Sequence, residues 1–445
     1  MTLYWCQRAW LGGGAVAERV LLRVDADRFS EVEAGVPAPP KGARRLSGLA
    51  IPGFANCHSH AFHRALRGRT QAADPGGRGS FWSWREQMYA VAARLDPDSC
   101  HALARATYAE MALAGITCVG EFHYLHHGEQ GMPYDDPNAM GEALVAAAQD
   151  AGIRIALLDA CYLTGGIGAP LAGVQQRFGD DDAVRWSERV EDLLERYVDT
   201  PDVVVGAALH SVRAVPREQL GTVAQWAAGR DVPLHVHLSE QVAENDACLA
   251  AYGATPTAVL GAAGVLGPGT SAVHATHLGD DDVELLGSTG TRVCLCPTTE
   301  RDLGDGSGPS SALRAAGSAL TMGSDSHAVI DPLEEMRGVE LHERLATQRR
   351  GHFRAEELML AATREGHASL GFPDAGVIAP GAIADLVTID DTSARTAGAG
   401  GGLELAVFAA TAADVTPVLI GGRPVQSADV GADLGRVVGR LWEGG

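Results

Sequence analysis

The sequence predicts an α/β protein, a (β/α)8 TIM barrel with a small β-sandwich domain built from both chain ends. Three observations support this prediction. Short apolar runs alternate with amphipathic helical stretches, which is typical of a parallel sheet. The runs number eight, the strand count of a closed parallel barrel. Both ends of the chain instead have the pattern of short strands joined by turns.

The apolar runs are the predicted barrel strands. Each run is followed by a polar cluster and then by a helical stretch, so consecutive strands are expected to be parallel. The runs are residues 49–55, 116–119, 153–158, 203–209, 234–238, 272–274, 293–296 and 319–322.

Helical signals are clearest in four stretches. Residues 98–113 begin with an acidic turn and end before Gly115. Residues 183–197 and 216–228 are amphipathic, and residues 334–348 carry charges at i,i+4 spacing. These stretches are the predicted outer helices of the barrel.

The small domain is expected to combine the two chain ends. After residue 372, the segments 384–389, 405–409 and 415–420 are predicted strands, and Gly421 and Gly422 form a predicted turn. The predicted domains are residues 1–50 with 372–445 for the small domain, and residues 51–371 for the barrel.

Composition excludes several classes of protein. Of 445 residues, 46% are hydrophobic and 20% charged, which is ordinary for a globular protein and excludes disorder over most of the chain. The net charge of −21 makes nucleic acid and anionic membranes poor partners. A small anionic substrate remains possible if the protein supplies a basic pocket.

Location and redox state also have sequence signals. No stretch is long and apolar enough for a transmembrane helix, and the first residues do not resemble a signal peptide. The eight cysteines are scattered without a Cys-x-x-Cys pair. We therefore expect a cytoplasmic protein with reduced thiols, without disulfides or a thiolate zinc site.

Histidines and acids follow several predicted strands. His58 and His60 share one face of a strand end, and so do His235 and His237. Glu240 follows three residues after His237. Taken singly, these are weak signals: a His-x-His pair is more often two ordinary surface histidines, and His235 lies deep enough to be a buried supporting histidine.

His274 and Asp325 extend the pattern. They follow the sixth and eighth predicted strands, although an isolated Asp325 is more often a helix cap or turn residue. Three histidines and one carboxylate at the same end of a barrel leave a coordination position open for water. That arrangement is typical of a catalytic rather than a structural metal site.

These motifs resemble the amidohydrolase superfamily. His58-x-His60, a later His237, His274 and Asp325 occur in the superfamily's order, and His237-x-x-Glu240 is similar to its deaminase branch, which uses one divalent metal. The resemblance covers nearly the whole chain, because residues 381–387 (GAIADLV) are similar to the closing segment of the family's small domain.

Longer stretches resemble one group of the branch, which deiminates a formimidoyl group carried by glutamate. The stretches are residues 56–67 (NCHSHAFHRALR), 80–89 (SFWSWREQMY), 120–127 (GEFHYLHH), 209–215 (LHSVRAV), 235–241 (HVHLSEQ), 296–306 (CPTTERDLGDG) and 323–327 (GSDSH). Two residues depart from the group: His63 stands where glutamine is expected, and Arg301 is unusual. Both put pocket contacts in doubt, but neither is in the ligand set.

The resemblance implies a catalytic role for each residue of the cluster. Glu240 would take a proton from the attacking water and pass it to the departing nitrogen, and His274 would stabilise the tetrahedral intermediate. Asp325 would share in proton transfer. The products would be ammonia and N-formyl-L-glutamate. One divalent metal ion, with zinc expected and iron or manganese as alternatives, would be held by His58, His60, His237 and Asp325.

Substrate binding is also implied by the resemblance, and by the charge of a dicarboxylate. A guanidinium group binds a carboxylate at two points, which a strongly acidic protein would need at its active site. Each implied residue has a structural alternative, since the arginines could cap surface helices, the tyrosine could simply pack and His210 could be a core histidine. The implied substrate-binding residues are His63, Arg85, Tyr124, His210 and Arg213.

Two rival functions remain open at this point. One is a deaminase of the same superfamily acting on guanine, a pterin or an adenosine derivative, for which two arginines would be unnecessary. The other is a non-catalytic metal-binding or scaffold protein, which would have no use for Glu240 beside an open metal position. The resemblance also suggests a homodimer.

Overall fold

The fold is described from a computed structural model, which describes residues 1–71, 81–425 and 429–443. The first residue of the quoted stretch 80–89 therefore lies outside the described residues. So do residues 426–428 and 444–445 of the predicted small domain and residues 72–80 of the predicted barrel domain.

The central sheet is an eight-stranded parallel barrel, which confirms the predicted fold class. Its strands follow one another in chain order around the sheet. The first and last strands meet through Asp325, whose backbone pairs with His58, Ser59 and His60. With β1–β4 of the small sheet preceding them, the barrel strands are β5 Phe54–Ser59, β6 Ile116–His123, β7 Arg154–Cys161, β8 Val203–Leu209, β9 Leu234–Leu238, β10 Thr270–His274, β11 Arg292–Leu295 and β12 Leu320–Met322.

A seven-stranded mixed sheet is built from both chain ends, as predicted. Its strand order is β15-β14-β13-β4-β1-β2-β3, with β13 from the C-terminal part paired antiparallel to β4. The strands are β1 Thr2–Ala9, β2 Ala17–Asp25, β3 Arg28–Glu33, β4 Arg44–Pro52, β13 Leu386–Ile389, β14 Val415–Ile420 and β15 Arg423–Pro424.

Helices surround the barrel, and the four best sequence signals are confirmed at α2, α4, α5 and α11. Capping residues explain where two of the helices begin. Asp96 and Ser99 form a capping box at the start of α2, and Asp182 caps α4. The helices are α1 Phe81–Ala92, α2 Pro97–Leu113, α3 Ala139–Ala151, α4 Ala183–Tyr197, α5 Arg217–Arg230, α6 Val242–Tyr252, α7 Pro256–Ala262, α8 Asp280–Ser288, α9 Pro297–Leu303, α10 Ser310–Ala316, α11 Pro332–Thr347, α12 Ala355–Ala362, α13 Arg364–Ser369, α14 Leu403–Phe408 and α15 Val430–Glu443.

The predicted first barrel strand, residues 49–55, is wrong in its bounds. The apolar run belongs to two strands, β4 of the small sheet and β5 of the barrel, with Gly53 between them. A Cβ on Gly53 would lie 2.4 Å from the side chain of Thr117, so the chain passes close to β6 at this point. Because β5 extends to Ser59, His58 lies inside a barrel strand rather than after one.

The predicted strand at 405–409 is also wrong, because α14 occupies this segment. A short apolar run does not distinguish a strand from a buried helix. Leu403, Leu405 and Val407 are buried where α14 packs against α11 and α12. Packing against helices rather than against a sheet edge decides the structure here.

A buried ion pair joins the small sheet to the barrel. Arg154 of β7 contacts Asp385, just before β13, and both side chains are almost fully buried. Asp385 also accepts a hydrogen bond from the backbone nitrogen of Gly421 at 2.8 Å. The arginine is held from the other side by Asp202 at 3.0 Å.

Replacement of Asp385 by alanine is expected to destabilise the protein by about 3 kcal/mol, because it leaves a buried guanidinium without its main partner. Urea unfolding followed by circular dichroism measures this loss. The matched control is Asp374→Ala, which breaks an exposed pair with Arg28 and should cost less than about 1 kcal/mol. Equal losses in the two variants would contradict the role given to the buried pair.

Two further predictions concern membranes and thiols. None of the helices in the described ranges is long and apolar enough to cross a membrane. All eight cysteines are buried and none is in a disulfide.

Candidate functional site

The predicted metal ligands converge at the carboxyl ends of the barrel strands. His58 lies in β5, His60 follows that strand, His237 lies in β9 and Asp325 follows β12. The Nε2 atoms of His58 and His60 are each 3.4 Å from Oδ1 of Asp325. The Nε2 atoms of His58 and His237 face each other at 3.0 Å. His58 therefore belongs to two clusters of potential metal ligands, one with His60 and Asp325 and the other with His237 and His274.

Backbone carbonyl groups set the tautomers of two of these histidines. Nδ1 of His60 is 2.8 Å from the oxygen of Phe122, and Nδ1 of His237 is 2.8 Å from the oxygen of His210. A carbonyl oxygen only accepts, so each Nδ1 donates a hydrogen and each neutral ring keeps a lone pair on Nε2. Metal-binding histidines are prepared in this way.

The pKa shifts of the three histidines are also compatible with binding of a cation. Burial lowers the pKa of His58 and His237, and neighbouring histidines lower it further. Burial lowers the pKa of His60 as well, although Asp325 opposes the shift. Neutral imidazoles beside a carboxylate match the ligands that zinc and similar divalent ions prefer. The residues present therefore fit a divalent metal ion.

Glu240 and His274 lie beside this group on the cavity side. Nε2 of His274 is 3.9 Å from Oε1 of Glu240 and 3.8 Å from Oδ2 of Asp325. Burial raises the pKa of Glu240, with His274 opposing the shift and Asp325 adding to it. Burial alone would lower the pKa of His274, but Glu240, Glu300 and Asp325 raise it to about 10. A carboxyl group and an imidazole, each with a raised pKa, thus lie together next to the ligand group.

The backbone is strained at the same place. Ser239, His274, Ala275 and Asp325 have φ values of 50°, 70°, 52° and 40°, in the left-handed region that non-glycine residues rarely adopt. Such residues cluster at functional sites, where surrounding structure holds them. The strained residues lie at or just after the ends of β9, β10 and β12.

A cavity of about 570 Å³ opens in front of the ligand group. The five residues predicted to bind substrate all line it, together with Glu240, His274 and Asp325. Nε2 of His63 lies 3.0 Å from the hydroxyl group of Tyr124, so these two predicted residues contact each other directly. The ring of His210 packs 4.4 Å from the ring of Tyr162.

Both predicted arginines lie on this cavity. Arg213 is held by Glu244, whose Oε2 accepts from its Nε at 3.1 Å. The guanidinium carbon of Arg85 lies 4.4 Å from the ring centre of Trp82 and 5.4 Å from that of Tyr89. Trp82 is 41% exposed, whereas the ring of Trp84 is buried and its centre lies 5.1 Å from that of His63.

Several residues of the site were not predicted. Glu300, 3.6 Å from Nδ1 of His274, lies in the quoted stretch 296–306 but had no assigned role. Glu121 accepts hydrogen bonds from Ser59 at 2.6 Å and from the backbone of Ala61 at 2.7 Å, and so holds the segment between the two first ligands. Its sequence signals were its place at the end of a strand and in the quoted stretch 120–127, but it had no assigned role. The aromatic residues of the cavity wall that had no predicted role are Phe81, Tyr89, Tyr162 and Phe178.

The remaining histidines near strand ends lie away from the cavity. His235, deeper in β9, contacts the backbone oxygen of Ser369 at 3.4 Å. His327 lies between Ser59 and Ser324 and supports the ligand segment. His123 and His126 form a separate buried cluster with Asp159. Its carboxylate is already bound by Arg189 at 2.9 Å through both oxygens.

Fold and site together define a class of protein: enzymes built on a closed parallel barrel with a histidine and aspartate metal-binding group at its mouth. The family model for the amidohydrolase family matches residues 49–425. The chain is an enzyme of the amidohydrolase family, which confirms the predicted resemblance.

Two relatives and one crystal structure are similar to this chain along most of its length. The chain is 36% identical to formimidoylglutamate deiminase of Pseudomonas aeruginosa, covering 95% of this chain and 94% of the relative. It is 31% identical to 8-oxoguanine deaminase of the same species, covering 88% and 86%. A crystal structure of an amidohydrolase from Brucella melitensis superposes with a TM-score of 0.91 at 32% identity, covering 99% of this chain and all of that one.

Proposed function

We propose that this protein is a hydrolytic deaminase that converts N-formimidoyl-L-glutamate and water into N-formyl-L-glutamate and ammonia, a step of histidine degradation. The observation that carries the proposal is the placement of Arg85 and Arg213 on the same cavity as the ligand group and Glu240. The similarity to formimidoylglutamate deiminase along nearly the whole chain supports it. A doubly negative substrate needs these cations, whereas a neutral ring does not.

One divalent metal ion, which we propose is zinc, would be held by His58, His60, His237 and Asp325. When bound, such an ion lowers the pKa of water from about 16 towards about 7, which makes hydroxide available at neutral pH. The contacts of Nδ1 in His60 and His237 leave the lone pair of each Nε2 available to such an ion.

Glu240 would move the proton. Water adds to the formimidoyl carbon, the glutamate carboxylate takes one proton from that water, and it returns the proton to the terminal nitrogen. Asp325 would take the second proton of that water and pass it to the same nitrogen as the carbon–nitrogen bond breaks, so that ammonia leaves and the formyl product keeps the oxygen of the water. Burial raises the pKa of Glu240, which favours a group that both accepts and returns a proton.

His274 would hold the charge that develops during this addition. Its raised pKa keeps it protonated at neutral pH, so its Nε2 can donate to the reacting group. Asp325, 3.8 Å from the same nitrogen, would share in the proton transfer as well as binding the metal ion.

The five predicted binding residues would position the substrate. Arg85 and Arg213 would bind its carboxylates, and His210 and Tyr124 would contact it from the neighbouring wall. His63 stands where the related group has glutamine, and its contact with Tyr124 would replace the missing amide. A homodimer, a cytoplasmic location and the domain limits remain predictions.

A substrate panel tests the proposal. The purified protein is incubated with N-formimidoyl-L-glutamate, guanine and 8-oxoguanine, and ammonia release is measured for each. We expect turnover of the formimidoyl compound with kcat/KM at least about 10²-fold above the purines, since each of the two lost charged contacts costs about tenfold or more. Preferential turnover of a purine would contradict the proposal and favour a ring deaminase.

Loss of Arg213 is expected to weaken substrate binding. Its removal would leave Glu244 buried and unpaired, so the test variant combines Arg213→Met with Glu244→Gln. We expect KM for N-formimidoyl-L-glutamate to rise about 10- to 100-fold with a smaller change in kcat, because a bidentate contact to a carboxylate is lost. The matched control is Arg217→Met on the surface of α5, which should leave KM unchanged; an unchanged KM in the double variant would rule out the contact.

A further inference from the structure

A buried glutamine faces two tyrosine hydroxyl groups at the cavity wall. Nε2 of Gln175 lies 3.2 Å from the hydroxyl oxygen of Tyr89 and 3.2 Å from that of Tyr162. Tyr89 belongs to α1, and Tyr162 directly follows β7. Both tyrosines line the cavity described above, whereas Gln175 stands behind them.

Neighbouring backbone groups decide which end of the amide faces the tyrosines. The backbone nitrogen of Ala172 donates to Oε1 of Gln175 at 3.2 Å, and Nε2 is 3.3 Å from the backbone oxygen of Gly165. A backbone nitrogen only donates and a carbonyl oxygen only accepts. Both contacts therefore place the NH₂ group, rather than the carbonyl oxygen, against the two hydroxyl groups.

This orientation determines what the hydroxyl groups can do. An amide NH₂ has two hydrogens and no free lone pair, so it only donates: the two hydrogens are shared among the two tyrosine oxygens and the oxygen of Gly165, and each tyrosine keeps its own hydrogen. Within residues 1–71, 81–425 and 429–443, neither hydroxyl group has another hydrogen-bond partner. The two O–H groups are therefore free to donate into the cavity that their rings line.

The surrounding charge favours an anion as their acceptor. Burial raises the pKa of Tyr162, while Arg213 and Arg85 act in the opposite direction, so its hydroxyl group lies within the field of both guanidinium groups. Two guanidinium groups and two O–H groups on one wall offer donors only. A carboxylate accepts several such hydrogen bonds at once, and charge-assisted bonds are the strong ones.

We propose that Tyr89 and Tyr162 donate hydrogen bonds to one carboxylate of the substrate, with Gln175 as the residue that positions their hydroxyl groups. This inference rests on the proposed function for the identity of the substrate. It makes the two tyrosines determinants of specificity for a dianion over a monoanion.

Binding of product analogues tests the inference without requiring turnover. The metal-loaded protein is titrated by calorimetry with N-formyl-L-glutamate, with N-formyl-4-aminobutanoate, which lacks the α-carboxylate, and with N-formyl-2-aminobutanoate, which lacks the side-chain carboxylate. In Tyr89→Phe and Tyr162→Phe, we expect Kd for the dicarboxylate to rise about tenfold each. The two tyrosines are proposed to contact only one of the two carboxylates. For the monocarboxylate that lacks this group, Kd in each variant should stay within about twofold of the wild-type value.

Two further variants separate positioning from general damage. Tyr197→Phe removes a hydroxyl group on α4, away from the cavity, and should change no Kd. Gln175→Leu should raise Kd for the dicarboxylate about threefold, because the hydroxyl groups lose their fixed orientation but not their hydrogens. An unchanged Kd in Gln175→Leu overturns its positioning role.

The outcomes distinguish this inference from the proposed function. Failure of the wild type to bind N-formyl-L-glutamate, Kd values within twofold of wild type in both phenylalanine variants, or equal losses for all three ligands would each overturn the inference. If the phenylalanine variants lose binding of the dicarboxylate alone, and the wild type releases no ammonia from N-formimidoyl-L-glutamate, the inference is upheld and the proposed function is refuted.

Discussion

Replacement of Glu240 by glutamine is expected to lower kcat for ammonia release by about 10²- to 10⁴-fold while the metal content stays at the wild-type level. The amide has nearly the same shape as the carboxylate, so the cavity and the ligand group remain intact. It cannot accept a proton from water or return one to the departing nitrogen. Steady-state kinetics with N-formimidoyl-L-glutamate measure the loss, and metal analysis of the same sample is the control.

The geometry explains why no neighbour should substitute for Glu240. His274, 3.9 Å away, is kept protonated by the acids around it and therefore donates rather than accepts. Asp325 is the other acid nearby, but its Oδ1 is directed at His58 and His60. A Glu240→Gln variant with near wild-type turnover and full metal content would refute the proton-transfer role.

Replacement of His237 by alanine is expected to remove both the metal ion and the activity, with kcat/KM falling by at least about 10³-fold. Its Nε2 faces that of His58 at 3.0 Å, and its Nδ1 is fixed by the oxygen of His210. Three remaining ligands would not hold a divalent ion with the same affinity. Metal analysis after dialysis, followed by an ammonia assay, measures both effects.

His235 provides a matched control from the same strand. It lies two residues earlier in β9, is fully buried and does not line the cavity. His235→Gln is expected to keep the metal ion and the activity, although it should lower the midpoint of urea unfolding. Loss of metal from both variants would indicate a general collapse of the strand rather than a ligand role for His237.

The alternation of strands and helices was sufficient to predict the barrel, because parallel strands covered on both faces become continuous apolar runs. Where two strands follow each other directly, the same rule fails. Residues 49–57 are almost uniformly apolar, and only the bend at Gly53 separates β4 of one sheet from β5 of the other. Sheet membership depends on partners distant in the sequence, which a local pattern does not contain.

Part of the site could likewise be predicted from the sequence, and part of it could not. His58 and His60 share a strand face by simple alternation, so their proximity follows from the sequence. The left-handed backbone at His274 and Asp325 does not, because it depends on how the strand ends are held by their neighbours. The aromatic wall formed by Tyr89, Tyr162 and Phe178 also comes from separate segments, and only the folded chain brings them to one cavity.

Metal stoichiometry combined with activity tests the central claim most directly. The purified protein is analysed for zinc, iron and manganese, stripped with a chelator, and then titrated with zinc while ammonia release from N-formimidoyl-L-glutamate is followed. Our account predicts one divalent ion per chain, loss of activity on stripping, and recovery that is complete at one equivalent of zinc. Full activity in the metal-free protein would contradict it.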